Sequence, residues 1–472
     1  MRLLGAIFLV AFLSLYVQLP VLLSARGLLP ASRYLAAIRS SATFLSAPTL
    51  FWLGASDRAL SMAALAGAAM SVLLLLGIAP RACLAGLWFT YLSFVTIGQD
   101  FFSFQWDNLL LESAFLSLFV APGGMRMSRG RPPGPVGVFL MRWLLFRLNF
   151  ESGLAKLLTG DPTWRNLTAM ASYYETAPLP TWIGWYAHQM PLWAHRTCAL
   201  FTLVVELGVA LLIFGPRLAR RAAFWILNAM QLGILATANY GFFNYLTIAL
   251  SLFLLDDRPL LGRAPTRSSR ESPGDPARRP ASTAPLRSGA AAILVVLSAV
   301  PFLPFFGPLG GLNRELTPLR RTLGSFRTLN AYHLFAQMTL VRDEVVIEGS
   351  DDGTTWSSYE FRAKPGDPGR APPVVAPYQP RVDFQLWFLL LGGRPDALYF
   401  DRLLRALLLE PETVAPLFSR DPFPVTPPRM LRVRIYRYRF TDAATRRTTG
   451  DWWSREELSQ SRPITAATFS GG

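Results

Sequence analysis

The sequence predicts a polytopic α-helical membrane bundle of about eight or nine spans, followed by a soluble β-rich or α+β C-terminal domain. Three observations predict it. The 472 residues are 51% apolar and only 16% charged, against roughly 25% charged in soluble globular chains. The charges fall between long apolar runs, several of them near the roughly 20 residues that cross a hydrocarbon core. Beyond residue 306 those runs stop and short alternating segments begin.

Arg2 is followed by LLGAIFLVAFLSLYVQLPVLLSA. A signal peptide would be shorter and end in a small-residue cleavage site, so a retained first span is expected. Residues 26–57 read as an amphipathic interfacial helix and a loop. Ala59 to Ala79 forms the second span and Cys83 to Ile97 the third. A short polar link then leads into a fourth span with Asp107 and Glu112 near its start. Val136 to Leu158 is the fifth, and Thr197 to Phe214, with Glu206 inside it, the sixth. Ala222 to Asn239 and Phe242 to Leu255 are the seventh and eighth, joined by a tight turn at Tyr240-Gly241. Residues 256–288, rich in Arg, Pro and Ser, read as a disordered linker. Gly289 to Phe306 is the ninth span, and GPLGGL (307–312) a hinge. The division is therefore a transmembrane domain at 1–255, a linker at 256–288, a last helix at 289–307 and a β-rich domain at 308–472.

Orientation follows from the loops. Arg126, Arg129 and Arg131 precede span five, Arg217, Arg220 and Arg221 follow span six, and the Arg-rich linker follows span eight. These loops share one side, which the positive-inside rule makes cytoplasmic, and residues 308–472 then lie outside. Arg26, Arg33, Arg39 and Arg58 oppose this, but an interfacial helix holds arginines at either surface. In the outer domain, EVVIEGSDDGTTWSSYEFRAK reads as a hairpin turning at Asp352-Gly353. Ala397 to Leu409 reads as an amphipathic helix. In LRVRIYRYRF the arginines change parity after Arg434, which predicts a bulge near Tyr436.

The net charge of +16 is largely a positive-inside effect, and no nucleic-acid-binding module accompanies it. Cys83 and Cys198 lie in apolar segments, and the three histidines form no HExxH or His/Cys cluster, so neither a disulfide nor a metal is expected. No Gly-rich phosphate loop is present and no cofactor is implied.

Chemistry concentrates between Met141 and Arg196. Arg142, Arg147, Glu151 and Lys156 all fall within span five. Ionisable groups at membrane depth cost about 2.5–3.5 kcal/mol each, so they face a bundle interior and pair. Arg147 and Glu151, four residues apart, share a helix face. Asp107 and Glu112 are expected to pair with Arg142 or Arg147, the other reading being a catalytic carboxylate pair. Of the 46 basic residues only Lys156 and Lys364 are lysines. Either Arg has filled nearly every basic position by genomic bias, or these two sites need an amine that Arg cannot replace. After span five comes a loop dense in Trp, Tyr and Pro, the composition of a membrane–water boundary. It holds Trp164, Tyr174 and Trp182, and in it Glu175 and His188 either line a cleft or fix the loop's own fold.

Several strings resemble the lipase maturation factor family: SFQWDNLLLE (103–112), RWLLFRLNFESGLAKL (142–157), PTWRNLTAM (162–170) and WYAHQMP (185–191). The resemblance continues in EVVIEGSDDGTTW (344–356), PPVVAPYQPRVDFQLWF (372–388), DPFP (421–424) and the closing tryptophan pair. It implies a multi-span membrane protein with a large lumenal domain, assisting the folding of secreted clients such as dimeric lipases. The Arg bias suits a bacterial cytoplasmic membrane; a eukaryotic host would place the chain in the endoplasmic reticulum. Gly153, Lys156 and Trp164 together resemble, more distantly, a stretch of the vitamin K-dependent γ-carboxylase in which a lysine acts as a base. Two functions are thus in play. One is a non-enzymatic maturation factor contacting clients through Tyr378, Phe384, Trp387, Trp452 and Trp453, residues that could equally form the domain's core. The other is a membrane enzyme with Lys156 as base and Glu151 beside it, acting on a lipophilic substrate. The bland alternative for Lys156 is snorkelling, or pairing with Glu151 or another acid.

Overall fold

The computed structural model describes residues 1–127, 133–255, 284–307, 315–391 and 397–469. Arg129, Arg131, most of the linker and nearly all of GPLGGL therefore lie outside the described residues. The amino-terminal region is helical. α1 (Arg2–Leu22) packs lengthwise on α3 (Asp57–Leu76), with the short α2 (Ala31–Ile38) between them in sequence, and α4 (Pro80–Ile97) lies against α3. Ser56 caps α3 by accepting the Ala59 N–H at 3.2 Å, and Gly77 closes it in the left-handed region. α5 (Gln105–Ser117) and α6 (Pro135–Leu158) follow, α6 opening with proline in its first turn. The aromatic stretch folds into three short helices, α7 (Pro162–Arg165), α8 (Ala169–Thr176) and α9 (Trp182–His188). α10 (Leu192–Leu203) runs on through a π-helical turn at Val204–Gly208 to Phe214. α11 (Arg217–Thr237) and α12 (Phe243–Ser251) join at the expected turn. Gly241 there has φ +55°, in the left-handed region that favours glycine. α13 (Ala284–Ala299) starts inside the stretch read as linker.

Among the described residues, four helices are long and apolar enough to cross a membrane: Arg2–Leu22, Asp57–Leu76, Leu192–Phe214 and Ser288–Phe306. The other expected spans differ from these. α6 has 24 residues but carries four ionisable side chains. α5 has 13 residues and α12 nine, rises of roughly 20 and 14 Å, short of a hydrocarbon core of about 30 Å. Nearly all of α5 is buried by its neighbours. It is a core element of the bundle.

Past α14 (Thr317–Phe326) the chain runs as an irregular strap, residues 327–341, into a sheet. β1 (Arg342–Ser350) turns at Asp352, whose Oδ1 accepts the Thr354 and Thr355 N–H groups at 2.8 and 2.7 Å, into β2 (Ser357–Ser358). The hairpin's second arm is shorter than expected, because β3 (Glu360–Phe361) leaves to pair with β4 (Phe418–Arg420). α15 (Arg381–Phe388), α16 (Leu398–Leu409, as the apolar spacing predicts) and α17 (Pro411–Val414) intervene before β5 (Met430–Phe440). α18 (Ala443–Thr449), β6 (Trp453–Gln460) and β7 (Ile464–Thr465) complete the region. The main sheet is antiparallel, ordered β2-β1-β5-β6, with β7 also beside β5.

The parity change in β5 has a different cause from the one expected. Its pairing with β1 is unbroken from Arg342↔Tyr438 to Ser350↔Met430. The extra residue lies in β6, where Leu458 is bypassed between Ile435↔Ser459 and Tyr436↔Glu457. What changes midway is the face that β5 buries. Leu431 and Val433 join Val345 and Ile347 in the main core, whereas Tyr436, Tyr438 and Phe440 pack with Val346, Trp453 and Trp185 on the opposite face. Successive strand residues point to opposite faces, so the arginines must change parity when the buried face does.

Candidate functional site

The inward charges of α5 and α6 converge on the strap. Arg147 Nη1 donates to Glu112 Oε1 at 2.7 Å and its Nε to Glu151 Oε1 at 2.9 Å, the second being the expected pair four residues apart. Each carboxylate then turns its other oxygen to the strap. Glu112 Oε2 accepts from the Asn330 N–H at 3.0 Å and from the Tyr332 hydroxyl at 2.9 Å. Glu151 Oε2 accepts from the Tyr332 N–H at 2.9 Å, and Arg147 Nη2 donates to the Asn330 carbonyl. Further along, Lys156 Nζ donates to the Leu334 carbonyl and Thr159 to the Ala336 carbonyl, both at 2.8 Å. Asp161 Oδ2 accepts from the Met338 N–H at 2.7 Å. One helical turn rises about 5.4 Å and two extended residues about 6.6 Å. Polar side chains along the second half of α6 and just past its end therefore meet every second residue of the strap from Asn330 to Met338. Irregular backbone inside a membrane protein has to find its partners in protein, and these side chains supply them.

Lys156 pairs with Glu206, Nζ to Oε2 2.8 Å, and not with Glu151. Glu206 sits in the π-helical turn of the Leu192–Phe214 helix, a kind of turn found often at functional positions. Gly153 makes the pair reachable: a Cβ there would lie 2.8 Å from the Glu206 Cβ, so only glycine lets the two helices approach. Trp164 lies with its ring centroid 5.1 Å from Lys156 Nζ and donates its Nε1–H to the Phe335 carbonyl at 2.9 Å. The Gly153, Lys156 and Trp164 pattern thus has a packing account.

Asp107 pairs with neither Arg142 nor Arg147. Its partner is Arg381, from α15, whose Nη1 and Nη2 reach the two carboxylate oxygens at 2.9 and 2.8 Å. Arg381 also donates to the Phe101 carbonyl at 2.6 Å, and its guanidinium lies 3.7 Å from the Phe102 ring centroid. Asp107 is fully buried and Arg381 is 2% exposed, so removing either would strand its partner at about 3–5 kcal/mol. Arg142 is directed elsewhere, its Nε donating to the Phe253 carbonyl at 2.7 Å.

The outer loop docks against the sheet. Glu175 Oε2 accepts from the Phe440 N–H at 2.7 Å, and Arg342 donates to the carbonyls of Glu175, Ala177 and Pro178. His188 Nε2 lies 3.7 Å from Glu175 Oε2. Burial pushes the Glu175 carboxyl up, outweighing the Phe440 N–H and the Arg342 and Arg439 charges. Burial, then His195, pushes His188 down. Tyr174 is buried beside His195, and Trp182 is exposed.

Of the five aromatic residues read as client contacts, two are corrected by their surroundings. Phe384 is 3% exposed and meets Trp106 edge-on at 4.7 Å; Trp453 is 2% exposed and stacks on Phe440 at 4.2 Å. Both are packing residues. Tyr378 is partly exposed, Trp387 is half-buried, and Trp452 is half-buried with the Arg446 guanidinium 3.6 Å from its ring centroid.

Between the bundle, the strap and α15 lies a cavity of about 860 Å³, with Lys156, Glu206 and Asn244 in its wall.

The family model of the lipase maturation factor transmembrane domain matches residues 1–261, and that of the C-terminal domain matches 328–463. The chain belongs to the lipase maturation factor family. It is 34% identical to lipase maturation factor 2 of Gallus gallus, over 98% of this chain and 80% of the relative. It is 33% identical to lipase maturation factor 2 of Homo sapiens, over 97% and 81%. With lipase maturation factor 1 of Bos taurus it shares 34% identity over 97% of this chain and 86% of that protein. No solved structure matches. The family's C-terminal domain opens at residue 328, one residue into the strap that the transmembrane domain grips. Sequence reading missed Asn330, Tyr332, Arg342 and Arg381 as site residues. A lone glutamate in an apolar span and a rare lysine in another were the available signal for Lys156–Glu206; nothing local announced Arg381.

Proposed function

We propose that the chain is a membrane-anchored maturation factor for secreted proteins. Its relatives are named for lipase maturation, and we carry that role, with lipases as clients, to this chain. One observation carries the reading. Asp107, Glu112, Arg147, Glu151 and Lys156 each contact the C-terminal region, through Arg381, Asn330, Tyr332 or Leu334. The bundle's charges hold the second region in a fixed pose. Lys156 as a catalytic base is not favoured, because its amine is directed at Glu206 and a carbonyl.

On this reading the membrane region is polytopic, the linker is cytoplasmic, and residues 308–472 are extracytoplasmic. The Arg bias supports a bacterial cytoplasmic membrane, with the endoplasmic reticulum as the setting in a eukaryotic host. Clients would meet Trp452 with the exposed Trp182 and Tyr186 beside it, and Tyr378 and Trp387 on α15's side. The test is a deletion strain complemented with Arg381→Ala, Lys156→Arg or a Trp452→Ala/Tyr186→Ala double variant, reading the yield of folded secreted lipase. Loss of yield in the surface double variant, at normal membrane level, supports the reading. Unchanged yield in the double variant with total loss in a normally accumulating Lys156→Arg protein would sink it.

A further inference from the structure

The cavity at the junction of the two regions is within the 300–1,000 Å³ range of small-ligand sites. Its wall is mainly apolar, with Phe104, Met230, Tyr240 and Phe243 among its residues. Exposed Phe388 and Leu391 also belong to it, so an apolar chain leaving the cavity would meet apolar surface. The polar part of the wall is specific. Lys156 and Glu206 neutralise one another at 2.8 Å. Apart from tyrosines, the other acid–base group of the described wall is the exposed His333. A ligand carrying a net charge would therefore bury it without a counter-charge. Besides Glu206, which Lys156 neutralises, three wall residues hold a buried polar atom without a hydrogen-bond partner among the described residues: Asn244, fully buried, at its Oδ1, Trp106, 5% exposed, at its Nε1, and Gln385, half-buried, at its Oε1. Asn244 Nδ2 is already given to Gln231 Oε1 at 2.7 Å, so its oxygen accepts and the Trp106 indole donates. Buried polar groups ordinarily find partners. A hydroxyl supplies the donor that the amide oxygens lack, and an ester carbonyl the acceptor that the Trp106 indole lacks.

We propose that this cavity is a binding site for an uncharged amphiphile with a hydroxyl- and ester-bearing head and an apolar chain, the chemistry of mono- and diacylglycerols. The site is independent of which client the protein serves. The Lys156–Glu206 pair sets the site's selectivity by cancelling its own charge, and the ligand is bound without being transformed.

The test uses the full chain in phosphatidylcholine nanodiscs and a diazirine-bearing fluorescent monoacylglycerol. Monoolein is expected to displace the probe at least about tenfold better than oleate or oleylamine. Diolein doped into the disc should compete as well, separating a bilayer source from a soluble one. Ile234→Trp, which places bulk in the wall, should weaken the probe about tenfold at unchanged unfolding temperature; Asn244→Leu should weaken it less. Should Ile234→Trp not accumulate, crosslink mapping on the wild-type chain decides: label near Met230, Phe243 and Phe388 supports the site, and label elsewhere overturns it. Equal displacement by oleate, or full binding by a folded Ile234→Trp protein, also overturns it.

Discussion

The two lysines of the chain occupy two differently built regions. Lys156 stands among helices, its Nζ hydrogen-bonded to Glu206 Oε1 at 2.9 Å, the Leu334 carbonyl at 2.8 Å and the Ser152 carbonyl at 3.4 Å. Lys364 stands beside the sheet, hydrogen-bonded to the Val345 and Pro365 carbonyls at 3.0 Å, with Glu344 Oε2 also 3.0 Å away as an ion-pair contact. Both are buried. An ammonium sends three N–H bonds from one point, whereas a guanidinium spreads a planar fork. That shape accounts for lysine at both sites in a chain that otherwise uses arginine. The surroundings differ. Glu344 also pairs with Arg342 at 2.8 Å, and this cluster lies within packed protein. Lys156 and Glu206 form part of a cavity wall. The same pairing closes an interior in one region and lines a space in the other.

The comparison can be broken most severely at Glu344. Glu344→Ala leaves two buried cations without their carboxylate, and the loss is expected at or above the upper end of about 3–5 kcal/mol. Glu206→Ala strands one cation and should cost within that range; thermal unfolding of purified protein in detergent ranks the two. If Glu206→Ala proves the costlier, the sheet cluster is not the more tightly closed of the pair. Lys156→Met combined with Glu206→Leu should recover most of the loss, because replacing a whole buried pair by apolar groups is often near neutral.

Arginine substitutions sharpen the contrast further. Lys364→Arg overpacks a closed site, at about 1–3 kcal/mol, while Lys156→Arg can extend along the cavity and should cost less. Equal losses would mean that the cavity gives Lys156 no room. The smallest effect is expected between the regions, at His188. Its folded value is lowered from 6.5, so below about pH 6.5 the unfolded chain binds a proton that the folded chain resists, and stability falls as pH drops. Glu175, raised from 4.5, acts in the opposite sense at lower pH. A pH series of unfolding temperatures should show a shallower decline below 6.5 in His188→Gln; an identical slope would remove His188 as its cause.

Where the physics is local, the sequence was sufficient. The Arg147–Glu151 pair follows from one helical spacing, the Tyr240-Gly241 turn from one residue type, and α16 from its apolar period. The parity of arginines in LRVRIYRYRF was also legible, but its meaning was not. Which face a strand buries depends on what packs there, and here the second face packs on Trp185 from the membrane region. The fourth expected span differs from its reading for a similar reason. α5 is apolar enough to suggest a crossing, yet it is apolar because neighbours surround it, and hydropathy does not distinguish lipid from protein as the covering.

Composition, periodicity and the long family-like strings determined by themselves that this is a membrane protein of the lipase maturation factor family with a strand-bearing C-terminal region. Only the tertiary structure decided what its charges do. Asp107 and Arg381 are 274 residues apart, Glu112 and Tyr332 220, and Lys156 and Glu206 50. A buried charge requires a partner, but the requirement carries no sequence address. It is met by whichever group the fold brings within about 3 Å, and that is settled only when the helices and the strap are packed together.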